Sequence, residues 1–303
     1  MGTKAVDLFA GWGGFTEGAS QAGVEVNWAA NHWDLAVKAH ALNHPRAKHV
    51  CQDLRQADWT QLPRYDLLLA SPACQGHSQA SQPKRRVYHD ALRATAWSVV
   101  DCADVTTPKA IIVENVVDFR RWRLYGAWRG ALETLGYQLQ ELILTASDYG
   151  TPQRRKRLFI VATKDGAQVS LTPDRREASF RSCIEGGTHR WRRVEDAKPN
   201  VKSRIAAARA NHGRTFLSQH VSNHPGVSLS EPIRTITTKD QWCIVKGDHY
   251  RSLTTRELAR GMGFPDSYSW PEGATRTEQI KGLGNAVCPP LAKRLIEQVA
   301  GNL

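Results

Sequence analysis

Residues Ala5-Val6-Asp7-Leu8-Phe9-Ala10-Gly11-Trp12-Gly13-Gly14-Phe15 run from a short apolar segment into a glycine-rich turn. An apolar run of this length reads as a strand buried on both faces. Glycines directly after a strand let a ligand approach the backbone N–H groups of the turn. The dinucleotide spacing G-x-G-x-x-G needs glycine where Thr16 stands, so the nicotinamide fingerprint is absent. Taken alone, the turn fits a ligand cradle or an ordinary tight turn.

Outward from this turn, apolar runs recur at Val26 to Ala30, Tyr65 to Ala70, Ala110 to Val113, Leu139 to Thr145 and Leu158 to Ala162. Helical patterns lie between them, clearest at Asp34 to Leu42 and at Tyr88 to Val105, which Pro108 stops. This alternation predicts an α/β fold, a doubly wound and mostly parallel sheet covered on both faces. From Thr163 to Glu231 long apolar runs become rare, arginines multiply, and Gly186-Gly187, Pro199 and Pro225 punctuate the chain. The expected division is a catalytic domain at 1–163, a smaller domain at 164–245 and a helical return at 246–303. In the last part, Thr254 to Gly261 opens with a Thr cap and Pro290 to Val299 with Pro in its first turn.

A chain of 303 residues, 41% hydrophobic and with ten Trp, can bury a large core. No run reaches the ~18 apolar residues of a membrane span. Met1-Gly2-Thr3-Lys4 leads into the first strand without a signal-peptide pattern, so the expected location is the cytoplasm. Cys51, Cys74, Cys102, Cys183, Cys243 and Cys288 form no C-x-x-C, which points to reduced thiols and no metal site. The net charge of +12 fits a polyanionic partner or a solvated basic surface.

In open α/β sheets, ligands bind at the carboxyl ends of the strands. Leu67-Leu68-Leu69-Ala70 delivers Ser71-Pro72-Ala73-Cys74-Gln75 to that edge, and Ile111-Ile112-Val113 delivers Glu114-Asn115. A thiol and a carboxylate at adjacent strand ends suit covalent catalysis with proton transfer. A cysteine after a strand is otherwise more often a packing residue. Asp34 after the second strand and Asp53 after Lys48 to Gln52 offer acceptors for a ribose and an adenine amine, and Phe9 can stack on a purine. Such a set suits a nucleoside cofactor better than a nucleotide.

Asp7 to Phe15, Ser71 to Ser78, Glu114-Asn115-Val116, Gln153-Arg154-Arg155-Lys156-Arg157 and Gly284-Asn285-Ala286-Val287 resemble, in order and spacing, the motifs of DNA cytosine-5 methyltransferases. The resemblance implies a Rossmann-like fold that uses S-adenosylmethionine and releases S-adenosylhomocysteine, with a smaller target-recognition domain. It implies a monomer acting on double-stranded DNA away from membranes; a cognate restriction endonuclease is not established by the sequence. Cys74, as thiolate, would add to carbon 6 of a flipped cytosine so that carbon 5 can take a methyl group. Glu114 would protonate N3, Arg157 would reach O2 and support Glu114, and Arg155, grouped with these catalytic residues, would steady the loop. The cofactor would be held by Asp7, Phe9, Gly11, Gly13 and Gly14, by His32, Trp33 and Asp34, by Asp53, Leu54 and Ser71, and by Asn285 and Ala286. DNA would meet Gln75 and, in a loop at 76–90, Ser78, Ser81, Lys84, Arg85 and Arg86. In the recognition segment it would meet Arg190, Arg192, Arg193 and Arg234.

Three positions depart from the family pattern. Ala73 stands where proline usually precedes the cysteine, His77 where phenylalanine follows it, and His32 where glutamate follows the second strand. They mark a divergent branch and put the ribose contact in question. A tRNA cytosine-5 methyltransferase of the same fold and an inactive DNA-binding homologue are the rival readings.

Overall fold

A computed structural model of the protein describes residues 2–73, 94–221 and 224–303. The apolar runs form strands β1 (Lys4–Leu8), β2 (Glu25–Asn31), β3 (Lys48–Cys51), β4 (Leu67–Ala70), β5 (Ala110–Asn115) and β6 (Gln138–Thr145), then the two-residue β7 (Gln153–Arg154) and β8 (Lys156–Thr163). Seven of them make one sheet in the order β3-β2-β1-β4-β5-β8-β6. The first five are parallel, and β8 runs antiparallel to both β5 and β6. Both faces are covered, as the apolar runs predict. Ala5, Leu67, Leu69, Ile112 and Phe159 point into one core, while Val6, Leu8, Leu68, Ile111 and Ile160 point into the other. This two-residue alternation carries Asp7, Glu114 and Arg157 toward the first face.

Helix α1 (Gly14–Gln21) follows β1, α2 (Asp34–Asn43) follows β2, and α3 (Trp97–Thr106) and α4 (Tyr125–Thr134) flank β5. α3 is the described part of the helix read at Tyr88 to Val105; its residues 88–93 lie outside the described ones. Trp128 of α4 and Phe119 fill the second core. In the first core, α1 packs on the last helix so closely that a Cβ on Gly18 would lie 2.6 Å from that of Ala292.

Beyond residue 163, β9 (Arg192–Arg193), β10 (Thr215–Gln219), β12 (Trp242–Lys246) and β13 (His249–Ser252) form an antiparallel sheet in the order β10-β12-β13-β9, and β11 (Ile233–Arg234) pairs with β7. This sheet reaches Ser252, past the boundary expected at 245. Helix α5 (Pro199–His212) covers it through Ile205 and Ala208, against Phe216 and Val245. The sequence reading missed α5 because only those two helix residues are buried, too few for an apolar stripe. Helix α6 (Thr255–Met262) starts at the expected Thr254 cap, completed by Glu257 as a capping box. Glu257 also receives both Nη groups of Arg251 at 2.7 and 2.6 Å, a buried ion pair between β13 and α6. The motif Gly284-Asn285-Ala286-Val287, read in the sequence as opening the last helix, instead spans the junction between two helices. Gly284 and Asn285 close α7 (Arg276–Asn285), and α8 (Pro289–Ala300) begins after Cys288. α7 has no clear sequence signal because its buried positions are few and two of them, Gly282 and Gly284, are glycine.

Candidate active site

The turn after β1 is shaped by close contacts that exclude side chains. Phe9 has φ 60, Gly11 φ 54 and Gly13 φ 75. A non-glycine residue in that region is sparsely allowed and is held by its surroundings. A Cβ on Gly14 would lie 2.1 Å from the carbonyl oxygen of Val287. On Gly282 it would lie 0.4 Å from Nε1 of Trp12. The motif residues near 284–287 therefore return to the glycine turn, as the resemblance implies. Asn285 is exposed, and Ala286 is buried beside it.

Glu114 ends β5 nearly buried, and Nε of Arg157 on β8 meets its Oε1 at 3.0 Å. The two residues lie side by side because β5 and β8 are antiparallel neighbours, with Glu114 opposite Phe159. Burial raises the Glu114 carboxyl above its ordinary range, and the opposing effects of Arg157 and Arg155 do not cancel it. Such a carboxyl holds a proton more readily than an exposed one. Asn115, beside it, donates from Nδ2 to the carbonyl of Pro72 at 3.1 Å. This bond ties the start of the Ser71-Pro72-Ala73-Cys74 segment to the Glu114 turn. Cys74 itself lies outside the described residues, as do Gln75, His77, Ser78, Ser81, Lys84, Arg85 and Arg86.

Among the described cysteines, Cys288 is close enough to feel Arg155, Arg157 and Glu114. It is fully buried, and burial pushes its thiol up to about 11. Burial likewise pushes Cys102 and Cys243 up to about 11 and Cys183 to about 12, so all four remain protonated near neutral pH.

Arg155 lies near enough to Glu114 for its charge to act on that carboxyl. It is buried and donates to the carbonyls of Ile236 at 3.1 Å and Gly284 at 2.9 Å, joining three segments of backbone. Gln153, to which the sequence reading assigns no role, receives the N–H of Ile236 at 2.6 Å. Its place at the head of the Gln-x-Arg-x-Arg pattern was the available signal.

The three expected cofactor carboxylates each have a partner within the chain. Asp7 is fully buried under the turn and accepts from Thr16 Oγ1 at 2.8 Å; burial raises its pKa to about 7. Its bond to Thr16 ties β1 to the first turn of α1 beneath the glycine turn. Asp34 is exposed and pairs with Lys38 at 2.7 Å. Asp53 caps Leu54–Gln56 and holds the guanidinium of Arg55, while Leu54 is buried. His32 is exposed, and Trp33 is half-buried with Nζ of Lys281 4.4 Å from its ring centre. Ser71 is half-buried, its N–H on the carbonyl of Leu8.

Arg190 and Arg192 line a cleft of about 460 Å³ with Lys198, His220 and Arg276. Arg193 pairs instead with Glu195 at 2.8 Å, and Arg234 is exposed on β11. A concavity of about 960 Å³ near Lys4, Trp59 and Lys109 is lined by none of the groups above.

The profile of the C-5 cytosine-specific DNA methylase family matches residues 3–301. The chain is 25% identical to the Type II methyltransferase M.NlaX of Neisseria lactamica, over 99% of this chain and 97% of that protein. Against DNA (cytosine-5)-methyltransferase 1 of Rattus norvegicus it is 30% identical, over 56% of this chain and 12% of that protein. Its fold resembles that of a prophage-encoded DNA modification methyltransferase from E. coli, with a TM-score of 0.74 at 20% identity, covering 99% of each chain. S. pombe Dnmt2 methyltransferase gives 0.70 at 17% identity, covering 100% of this chain and 99% of that one. With its ordered motifs, its sheet and a family profile spanning nearly every residue, the chain belongs to the C-5 cytosine-specific DNA methylase family.

Proposed function

We propose that the protein methylates carbon 5 of a cytosine flipped out of duplex DNA, with Cys74 as nucleophile, Glu114 as proton donor and Arg157 as the group that orients Glu114 and meets the base. The observation that carries the reading is the Glu114–Arg157 pair at 3.0 Å, tied through Asn115 and Pro72 to the segment that delivers Cys74. Carbon 5 of cytosine is a weak nucleophile. A thiolate adding to carbon 6 turns the ring into an enamine-like species and places negative charge at N3. A carboxyl whose pKa burial raises takes up a proton more readily and can give it there. Arg157 keeps Glu114 in place, and its planar fork offers a further donor for O2. A base stacked in a duplex cannot present carbon 6, so flipping costs a few kcal/mol, which contacts from the chain must offset.

Family membership implies S-adenosylmethionine as methyl donor, and when bound it supplies an electrophilic methyl group on sulfonium. The turn fits a nucleoside ligand, because its backbone is shaped by glycines at positive φ and by the small residues Ala10, Ala29 and Ala30 around it. Phe9, Gly11, Gly13, Gly14, Trp33, Ser71, Asn285 and Ala286 would hold the cofactor. Asp53 joins them only by sharing its carboxylate with Arg55. Among the described residues no helix is long and apolar enough to cross a membrane. A cytoplasmic location on the nucleoid fits the DNA substrate.

The cleft of Arg190, Arg192, Lys198, His220 and Arg276 supports a duplex partner. The arginine-rich segment with its own sheet favours DNA over the tRNA reading. The test is expression in a host without cytosine methylation, followed by base-resolution sequencing of the host DNA. Modified cytosine in one short recurring context is the expected result; unmodified DNA from an expressed, folded protein refutes the proposal.

A further inference from the structure

A buried polar chain runs beneath the glycine turn and takes no part in the chemistry above. Oγ1 of Thr16, in the first turn of α1, donates to Asp7 at 2.8 Å; Nε2 of His40 meets that hydroxyl at 2.9 Å; and Nδ1 of His40 meets Nε2 of His49 at 2.8 Å. The chain thus links β1, α1, α2 and β3. With the Thr16 proton on Asp7, the hydroxyl accepts from His40 Nε2–H and His40 Nδ1 accepts from His49, so every link holds one proton. The His44 ring lies one turn along α2, its centre 4.8 Å from that of His40. Both rings press on Gly13, where a Cβ would lie 2.8 Å from Nε2 of His44 and 3.1 Å from Cδ2 of His40. The turn is therefore gripped from two sides, by Val287 at Gly14 and by these imidazoles at Gly13.

We propose that His40 is a positioning residue for the cofactor: acting through Thr16, it holds Gly13 and the first turn of α1 in the arrangement that receives the nucleoside ligand. The inference rests on reading that turn as the cofactor site. The histidines work as neutral rings. Burial first, then the neighbouring histidines, lower His40 well below its ordinary pKa, and burial lowers His44 to about 4 and also lowers His49. The titratable groups around His40 are Asp7 on β1, Glu17 on α1 (4.0 Å from His44), His44 on its own helix and His49 on β3. A proton on His40 would also face the positive end of α1. Because the folded pKa is depressed, the support is fully present above the ordinary histidine value of 6.5 and is lost as pH falls below it.

The test is calorimetric binding of S-adenosylhomocysteine between pH 8 and 5.5, with Tm and DNA gel shift measured alongside. His40→Gln keeps a donor for Thr16 and cannot take a charge; His40→Leu removes both. Loss of a buried hydrogen bond corresponds to about tenfold in Kd, so His40→Leu is expected to bind about tenfold more weakly at pH 8, with DNA affinity unchanged. His40→Gln is expected to bind within about threefold of wild type at pH 8. The Tm of wild type should fall further on acidification than that of His40→Gln, because only the unfolded wild type gains a proton at this position. Equal affinity in a folded His40→Leu, or a fall of Tm on acidification in His40→Gln as steep as in wild type, would overturn the proposal. Should His40→Leu not fold, the comparison of wild type with His40→Gln decides alone. A wild-type protein that binds no S-adenosylhomocysteine at pH 8 refutes the cofactor reading itself, which is a different outcome.

Discussion

At the scale of single residues, the account turns on Glu114. A carboxylate at a strand end was legible as a site residue, since its motif and position on the sheet edge agree. Its partner was legible too, but only the antiparallel pairing of β5 with β8 explains why Arg157 reaches it and Arg155 does not. Glu114→Gln keeps the shape and removes the proton donor. Turnover is expected to fall by about 10² to 10⁴, with DNA affinity unchanged in a gel shift. The raised pKa also sets a sign for stability. The fold favours neutral Glu114, so its contribution is fully present below the ordinary carboxyl pKa and is lost as pH rises through the raised value. The Tm of Glu114→Gln should therefore gain on wild type as pH is raised from 4.5 to 7.5; a constant difference contradicts the burial argument. Asp7 shows the limit of reading residues in sequence. A carboxylate after a glycine turn and one beneath it look alike there, and only the burial of this side chain against Thr16 separates them.

At the scale of elements, the glycine turn is a contact surface between α1, α7 and α8 as much as a ligand cradle. Its glycines were legible as a turn, but their partners are about 270 residues away in the chain and carry no local signal. Gly14→Ala drives a methyl group into the Val287 carbonyl, and Gly282→Ala drives one into Trp12. Each is expected to cost about 1–3 kcal/mol or more and to weaken S-adenosylhomocysteine binding, measured by thermal denaturation and calorimetry. Gly126→Ala, in α4 with open space around it, serves as the opposite case. It should raise stability by up to about 1 kcal/mol through helix propensity alone. Arg155→Ala strands two buried carbonyls, and a loss of about 3 kcal/mol is expected in chemical denaturation, with Arg155→Lys recovering part of it. An Arg155→Ala protein as stable as wild type would remove the clamp from the account.

At the scale of the molecule, the alternating strands and helices of the catalytic sheet were readable because each strand is apolar on both faces. The small sheet was not, since α5 is polar along most of its length and β9 is two residues long; α5 gains its order from Phe216 and Val245, and β9 from its pairing with β13. The +12 charge takes on direction through the cleft that holds Arg190 and Arg192. If these side chains meet phosphates, replacing both with alanine lowers duplex affinity alike on all sequences and reduces the salt slope by about one for each phosphate no longer neutralised. Binding titrations across a salt series measure this directly, and a change confined to one sequence would assign them to base edges instead. The central claim joins all three scales, since one thiol at one strand end must act beside the Glu114–Arg157 pair on a flipped base. Incubation with S-adenosylmethionine and duplex DNA carrying 5-fluorocytosine, followed by peptide mapping of the covalent adduct, tests it. The account expects the adduct on Cys74 and none with Cys74→Ala, which should still bind DNA; an adduct on Cys288 or any other residue, or cross-linking that survives Cys74→Ala, would contradict it.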